Sequence, residues 1–299
     1  MDIEVEDIAL EAQTILHGRF QIREVHYIGE QGITYIGYDK IRKKDVIIKE
    51  FMPYRIANRD LDHRSVLCRG SSCKNKFEEF GKAFQKECEY TRMVQDIKKP
   101  YSGCTTVYVD DFTENDTWYL VIEKAKGRSL DACVGELTVS QKYRIIRDLL
   151  QIIRQIHKRK LLHCDIKPAN IIVRPDGHIT LIDFGSAARM GSRPHGAVYV
   201  SRGYSAPELY QRGKISRATD IYSVGAVIYN MLTGYQLPQA EDIEDIREIP
   251  RLSEFVEISG YKEKLFMRML DKDKKKRLKS VFLDRKSTRL NSSHYSRSR

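Results

Sequence analysis

The sequence lacks any long hydrophobic run. Its longest nearly apolar stretch, Val224 to Leu232, includes Asn230 and is far shorter than the roughly 20 residues that a membrane-spanning helix needs. The basic and apolar segments of a secretory leader are also missing, because residues 2–7 include four acids. We therefore expect a cytoplasmic protein with no membrane segment in this chain.

A cysteine framework is missing as well. The six cysteines are scattered, and the C-x4-C pair Cys68 and Cys73 has no second pair to complete a zinc site. In a chain of 299 residues this pattern favours free thiols over a disulfide scaffold. A metal or redox pair at Cys68 and Cys73 is the minor alternative.

The charge balance is basic, with a formal net charge of +11. The tail at 284–299, DRKSTRLNSSHYSRSR, carries five Lys or Arg residues against one Asp and shows no periodicity. Its first eleven residues match the conceptual translation of a common sequencing-library adapter. We interpret the tail as an adapter artefact, with a disordered basic tail as the alternative. Without it the net charge is +7, spread over mixed-sign faces, so we predict no nucleic-acid partner.

The first part of the chain has the pattern of a small sheet with one helix. Residues 18–50 contain the short β-like runs RFQIREV, ITYIGY and DVIIKEF, and the polar residues 53–75 predict a loop. From Lys76 to Val94 the apolar residues recur at helical spacing. TTVYVDDF and TWYLVIEKA then predict two more strands.

The later part has a mainly helical pattern. A long amphipathic helix follows Ser140, its predicted N-cap. The stretch LLHCDIKPANIIV, residues 161–173, then places an acid, a lysine and an asparagine between two apolar runs. Further helical patterns occur at 217–233 and 260–270. We predict a β-rich part joined to a helical part near residues 124–128.

Four motifs follow one another in this helical part: HCDIKPAN at 163–170, DFG at 183–185, APE at 206–208 and DIYSVG at 220–225. Their order and spacing resemble the protein-kinase family over nearly all of residues 10–283. The segments QTILHGRF, ITY and IKEF resemble those of bacterial serine/threonine kinases in particular.

The resemblance implies a fold of the α+β class with two lobes. Residues 1–17 would form an N-terminal extension, and residues 18–124 a small β-rich N-lobe with one main helix. Residues 125–283 would form a larger, mostly helical C-lobe that stops before its last helix is complete.

The resemblance also implies transfer of the γ-phosphoryl group of ATP, with Mg²⁺ or Mn²⁺, to Ser or Thr hydroxyls of protein substrates. Such chemistry needs positioning and charge neutralisation more than covalent work by the protein. Asp165 would orient the substrate hydroxyl, and Lys167 would neutralise the transferred group. Asn170 and Asp183 would bind the metal ion, while Ser201 would position the substrate. A homodimer for autophosphorylation is a further implied partner.

Nucleotide binding would involve Lys49 at the phosphates, with Glu87 as its favoured helix partner ahead of Glu78, Glu79 and Glu89. The other implied positions comprise the glycine-rich loop, the roof of the adenine pocket, its back wall, its hinge and its floor: Tyr27, Gly29, Gly32, Thr34, Ile47, Ile122, Glu123, Ala125 and Ile172. Tyr27 replaces the first glycine of the loop and Ile47 replaces a small residue, and both departures bear on ATP affinity.

The resemblance implies an activation segment that follows DFG and ends with APE at 206–208. Cys164 stands where the family commonly has an arginine that clamps a phosphorylated residue of this segment. A thiol cannot do this, so we predict a segment ordered by packing or by a partner, without control by phosphorylation. A redox role is disfavoured, because the neighbouring Asp165 raises the pKa of the thiol.

The resemblance assigns structural roles to four further residues. His163 would be a packed scaffold residue. Glu208 would pair with Arg277, and Asp220 would accept backbone hydrogen bonds from His163 and Cys164.

Three functional hypotheses remain. The first is an active serine/threonine kinase, because Lys167 follows the catalytic acid by two residues. The second is a pseudokinase acting as a nucleotide-binding or scaffold module, which Tyr27, Ile47 and Cys164 favour. The third is a small-molecule phosphotransferase, which the APE motif disfavours.

Overall fold

The computed structural model describes residues 8–95, 103–193, 200–243 and 245–278. The tail at 284–299 and the predicted end of the C-lobe at 279–283 lie outside the described residues. The described residues form two compact units: residues 8–95 and 106–125 make the first, and residues 103–105 and the described part of 126–278 make the second. No helix in these ranges is long and apolar enough to cross a membrane.

The strands of the described residues lie mostly in the first unit. In chain order they are β1 (Ile15–Leu16), β2 (Phe20–Gly29), β3 (Gly32–Asp39), β4 (Lys44–Phe51), β5 (Ala57–Arg59), β6 (Val66–Cys68), β7 (Tyr108–Glu114), β8 (Thr117–Glu123), β9 (Arg128–Ser129), β10 (Leu161–Leu162), β11 (Ile171–Val173), β12 (Ile179–Leu181) and β13 (Ala188–Arg189).

The helices of the described residues are mostly in the second unit. They are α1 (Lys74–Val94), α2 (Leu130–Cys133), α3 (Val139–Lys158), α4 (Pro207–Tyr210), α5 (Arg217–Thr233) and α6 (Gly260–Met269). Short 3-10 turns occur at Ser71–Cys73, Val134–Glu136, Pro168–Asn170, Ile246–Glu248 and Leu252–Glu254.

The first unit is built on an antiparallel sheet with the strand order β1-β2-β3-β4-β8-β7. Alternate residues of β3 and β4, such as Ile33, Tyr35 and Ile48, are buried in one core. This alternation is expected because successive side chains of a strand point to opposite faces. Residues 8–17, for which the sequence predicted an extension, contribute Ile8 and Leu10 to the same core.

Helix α1 packs on β8 through a second apolar cluster. Phe84 and Cys88, four residues apart on one helix face, meet Phe51, Leu120 and Ile122 there. The helix carries Glu87 and runs from Lys74, two residues before its predicted start.

The structure corrects two local predictions. Residues 53–75 are not wholly irregular, because β5 and β6 pair antiparallel within them. The N-cap of α3 is Thr138 rather than Ser140: its hydroxyl accepts from Gln141 N, and the Gln141 side chain accepts from Thr138 N. This reciprocal pair is a capping box, which satisfies two backbone donors at once.

A buried ion pair fixes the β5–β6 hairpin to the main sheet. Both carboxylate oxygens of Glu50 accept from the Arg59 guanidinium, at 2.7 and 2.5 Å. The hydroxyls of Tyr35 and Tyr119 donate to the same carboxylate at 2.6 and 2.7 Å. Leu10 N donates to Tyr35 Oη, so the chain before β1 joins the network. Such a charge is tolerated in a core only while its partners remain.

The second unit is arranged around α5. This helix is buried on nearly all sides and begins at Ser216, whose hydroxyl accepts from Ala218 N. It ends at Gly234, whose φ of 78° lies in the left-handed region that favours glycine. Helices α3 and α6 pack against α5. Two small sheets, β12-β11-β9 and β10-β13, complete the unit.

The buried network predicts a large stability loss on removal of its cation. Arg59→Met leaves the Glu50 carboxylate buried without its ion pair, so we expect a loss of about 3–5 kcal/mol in urea unfolding. The matched change Arg23→Met breaks an ion pair with Asp45 whose side chains are about half exposed, and should cost less than about 1 kcal/mol. Equal losses in the two variants would contradict this account.

Candidate active site

The loop between β10 and β11 carries most of the predicted chemistry, and a buried aspartate on α5 holds it. Asp220 accepts backbone hydrogen bonds from His163 N at 3.0 Å and from Cys164 N at 2.9 Å. The ring nitrogen Nε2 of His157, in the last turn of α3, donates to the same carboxylate at 2.8 Å. The His163 side chain packs against Phe184 with ring centroids 4.8 Å apart. The loop is therefore tied to two helices.

The environment of Asp220 keeps its carboxyl group ionised. Full burial alone would raise its pKa, but the bonds from His157, Cys164 and His163 hold that pKa below the ordinary 3.8. Each of these bonds favours the charged form of the acid. The anion is therefore a fixed part of the folded second unit at neutral pH.

Asp165 lies at the centre of a compact polar cluster in this loop. Ser201 Oγ donates to its Oδ1 at 2.6 Å, and Lys167 Nζ lies 2.8 Å from its Oδ2. Lys167 Nζ also donates to Ser201 Oγ at 3.2 Å. The structure thus brings three of the predicted site residues together, although Ser201 is 36 residues away along the chain from Asp165.

Asn170 is oriented by the same acid. Its Nδ2 donates to the carbonyl oxygen of Asp165 at 2.9 Å and to Asp165 Oδ2 at 3.0 Å. Both amide hydrogens are then used, so Oδ1 is the atom of this side chain that can bind a cation. Ile182 N donates to the carbonyl oxygen of Asn170. Asp183 follows Ile182 directly, so this bond holds the backbone before Asp183 next to Asn170.

Asp183 itself adopts a left-handed backbone with a φ of 66°. Its Oδ1 accepts from Gly185 N at 3.3 Å. An amide oxygen and a carboxylate are hard oxygen ligands of the kind that Mg²⁺ takes alongside phosphate oxygens and water. Among the residues that the structure describes, no group of three His, Cys, Asp or Glu side chains is placed to hold a metal ion alone.

In the first unit, Lys49 on β4 and Glu87 on α1 form an ion pair with 2.6 Å between Nζ and Oε1. Both side chains are largely buried, with 21% and 11% exposed. Of the four glutamates considered for this position, Glu87 is the one for which the structure gives a bond to Lys49.

Four of the other predicted nucleotide positions, one on each of β2, β3, β4 and β8, share one sheet face. Tyr27 lies opposite Thr34, Thr34 opposite Lys49, and Ile47 opposite Ile122 in the strand register. Directly opposed residues lie on the same face of a sheet. Glu123 ends β8 and pairs with Lys44 at 2.9 Å.

Two further predicted positions, Ala125 and Ile172, are half-buried. Ala125 ends the first unit, and Ile172 lies on β11 in the second.

The predicted glycine-rich loop is a tight hairpin whose turn is Glu30-Gln31. A Cβ atom on Gly32 would lie 2.2 Å from the carbonyl oxygen of Glu50, so glycine is required there for the close approach of β3 and β4. A Cβ atom on Gly29 would lie 3.0 Å from Cε1 of Tyr27. The Tyr27 ring thus covers Gly29, while 66% of this tyrosine remains exposed.

Cys164 fills an apolar cluster with Leu162, Leu209 and Ile215, against which Met190 also packs. Burial, followed by the nearby Asp220 and Asp165, raises the pKa of the thiol well above its usual value. The thiol is therefore protonated and poorly reactive. All six cysteines are free, including Cys68 and Cys73.

Glu208 and Arg277 form a buried bidentate pair, with oxygen–nitrogen distances of 2.9 and 3.0 Å. The hydroxyl of Thr219 donates to Glu208 Oε1 at 2.8 Å. Sequence reasoning missed Thr219 and His157 as partners of site residues. One sequence signal could have identified His157. It is a polar residue on the apolar face of α3, in the last turn of that helix.

Comparison with known proteins identifies the family. A family model described as protein kinase domain matches residues 29–286. The chain therefore belongs to the protein kinase family, and the predictions of this family and of a two-lobed α+β kinase fold are confirmed. Family membership implies the use of ATP and of a divalent metal ion in general.

Individual relatives agree with this assignment. The chain is 27% identical over 225 residues to the serine/threonine-protein kinase PrkC of Bacillus subtilis, covering 73% of this chain and 31% of PrkC. It is 30% identical over 149 residues to the calcium/calmodulin-dependent protein kinase cmkA of Emericella nidulans, covering 47% of this chain and 36% of cmkA. The chain thus spans about a third of the length of these curated relatives.

A solved structure supports the fold. The structure titled PpkA-294 apo form superposes with a TM-score of 0.73 at 23% sequence identity, covering 91% of this chain and 96% of that chain. At this identity the likeness concerns the fold alone.

The Asp220 anchor predicts a pH-dependent stability difference. Asp220→Asn replaces an acceptor oxygen by a donor group facing N–H groups, and we expect a loss of about 3 kcal/mol or more at neutral pH. Because the folded-state pKa of Asp220 is depressed, its contribution is present above the ordinary 3.8 and is lost as the pH falls through the lower folded value. The difference from wild type should therefore shrink in acid.

Urea unfolding at several pH values would measure this difference. The exposed Asp242 provides a control, since Asp242→Asn should change stability little at any pH. A difference for Asp220→Asn that stays constant down to acidic pH would contradict the ionised anchor.

Proposed function

We propose that this chain is an ATP-dependent serine/threonine protein kinase that transfers the γ-phosphoryl group to Ser or Thr hydroxyls of proteins. The observation that carries the proposal is the cluster of Asp165, Lys167 and Ser201. The carboxylate of Asp165 already accepts a hydrogen bond from a hydroxyl, that of Ser201, at 2.6 Å. A substrate serine or threonine would need the same arrangement.

Each residue of this cluster has a definite part in the proposed reaction. Asp165 would hold the substrate hydroxyl and take its proton as the oxygen attacks phosphorus. Lys167, whose Nζ lies 2.8 Å from the acid, would stabilise the negative charge on the transferred group. Ser201 would position the acceptor by bonding both residues.

The metal would be held by Asn170 Oδ1 and Asp183. A magnesium or manganese ion bound there would neutralise phosphate charge. The role of this chain is to orient the two ligands, and the bonds from Asn170 Nδ2 to Asp165 couple the metal ligand to the acceptor site.

In the first unit, Lys49 would bind the nucleotide phosphates, with Glu87 fixing the direction of its ammonium group. Ile47, Thr34 and Ile122 share the face of Lys49 and would contact adenine, with Glu123 and Ala125 as the hinge. For Ile172 on β11 we keep the predicted role of a contact to the adenine base. The proposed location of this domain is the cytoplasm. A homodimer, in which one copy phosphorylates the other, is a further proposed partner.

The activation segment would be ordered by packing rather than by phosphorylation. Cys164 offers no cation, and its side chain lies among apolar groups that include Met190 of this segment. Strand β13 pairs with β10 immediately before the catalytic loop, with Leu161 opposite Arg189. These contacts are formed without a phosphate group.

A pseudokinase is the second candidate, and Tyr27 favours it. Its ring covers Gly29, the position at which the loop backbone would approach the phosphates. This contact would weaken nucleotide binding and would leave the Asp165 cluster unchanged.

The full chain incubated with labelled Mg-ATP and a general protein acceptor tests the proposal. We expect transfer to Ser or Thr, and a loss of about 10²–10⁴-fold in Asp165→Asn, because the proton acceptor is removed. Mapping the modified residues decides between Ser/Thr and Tyr. Nucleotide binding by thermal shift without transfer would overturn catalysis and favour the pseudokinase.

The packing of the activation segment predicts that Ser192 needs no phosphate. Its hydroxyl donates to the carbonyl oxygen of Arg189 at 2.7 Å, a local bond that contributes about 1 kcal/mol. Ser192→Ala should keep kcat/KM within a few-fold of wild type in the same transfer assay. A drop of about tenfold or more would contradict activation by packing alone.

A further inference from the structure

The second unit contains a surface cavity of about 490 Å³, widely open to solvent, that the proposed reaction does not use. One part of its lining is apolar and comes from Met190, Ile215 and Ala218. The rest includes three cationic side chains, which are considered below. The volume lies in the range of small-molecule and peptide side-chain pockets, and is far larger than a single ion requires.

Backbone hydrogen bonds fix the apolar wall. Gly191 N donates to the carbonyl oxygen of Ile215, and Ile215 N donates to that of Ser192, both at 3.1 Å. Met190 N donates to the carbonyl oxygen of Lys160 at 2.9 Å. Two chain segments distant in sequence therefore meet along the cavity in a defined register.

The cationic residues of the lining are Lys214, Arg217 and Lys274, all of them exposed, and none of the described residues that line the cavity is acidic. Lys274 Nζ donates to the backbone carbonyl oxygen of Lys214 at 3.1 Å, so the Lys274 ammonium lies against the chain that enters α5. Within the described ranges, none of the three forms an ion pair with a carboxylate. The lining therefore carries an excess of positive charge, which a multiply charged anion would neutralise.

We propose that this cavity binds the phosphate group of a phosphorylated serine or threonine in a protein substrate. A phosphate ester carries a charge of about −1.5 to −2 and three acceptor oxygens, which suits three cations better than a single carboxylate. The apolar wall would contact the residue next to the phosphorylated one. The inference rests on the proposed kinase function. It narrows the substrates of the proposed kinase to proteins that already carry a phosphate group.

The position of the cavity along the chain connects it with the reaction. Met190 directly follows β13, whose partner β10 leads into the loop of Asp165. Met190 and Ile215 also belong to the apolar cluster of Cys164. An acceptor held here by its first phosphate would therefore be bound by the segment that packs against the catalytic loop.

A binding titration tests the site without ATP. The probe is a fluorescent heptapeptide with one phosphoserine flanked by glycine and alanine. Its fluorescence anisotropy is measured while the full chain is added. We expect binding to weaken by about tenfold or more when the phosphate is omitted, and again in the triple variant K214A/R217A/K274A, since charge-assisted bonds are lost. None of these three residues belongs to the catalytic cluster.

A second triple variant, K158A/K264A/K275A, removes the same charge from exposed lysines that do not line the cavity, and should bind the phosphopeptide like wild type. Equal binding by the two triple variants would overturn the proposal. Displacement by inorganic phosphate at the same concentration as by phosphopeptide, or preference for an oligonucleotide of equal charge, would also overturn it.

The transfer assay separates this inference from the proposed function. The same peptide extended by a second, unmodified serine should be phosphorylated at least about tenfold more efficiently than its unphosphorylated counterpart, and K214A/R217A/K274A should abolish that preference alone. Phosphopeptide binding without any transfer would uphold the site and refute the kinase. Transfer without preference would uphold the kinase and refute the site.

Discussion

The buried carboxylate of Asp220 is the constraint on which the second unit depends. It lies on a helix that is buried on nearly all sides, and it accepts from two backbone N–H groups of the catalytic loop and from His157. A buried anion is tolerated only while all of its donors stay in place. The loop can therefore leave its position only if the charge loses its partners, and this holds the loop backbone next to Asp165 in one conformation.

Two other buried charges in the structure are also held by partners from a different segment of the chain. Arg59 and Glu50 tie a short hairpin to the main sheet of the first unit, and Arg277 and Glu208 tie two distant segments of the second. A buried pair is weak evidence for net stability, because the desolvation of both charges opposes their attraction. Loss of one partner is nevertheless costly, because the other charge then stays buried without its ion pair.

The sequence predicted the regular elements of this protein better than its short ones. Strands β2 to β4 and helix α1 have enough residues for a periodicity to emerge, and their predicted bounds agree with the structure to within a few residues. The β5–β6 hairpin has three residues in each strand, too few for a pattern, and it depends on the contact of Arg59 with Glu50. The choice between Thr138 and Ser140 as N-cap likewise depends on geometry, because both residue types cap helices.

The same distinction holds in the site. The motifs predicted roles for Asp165 and Asn170 because their spacing is local. The bond of His157 to Asp220 joins residues 63 apart and leaves no local pattern. For Cys164, the sequence predicted one property and left another open. Its identity alone excluded a cationic clamp, but only the packing showed that Met190 and Ile215 surround it. Those two residues also form the wall of the cationic cavity. The apolar contact proposed to order the activation segment and the surface proposed to bind a phosphorylated acceptor therefore share the same side chains.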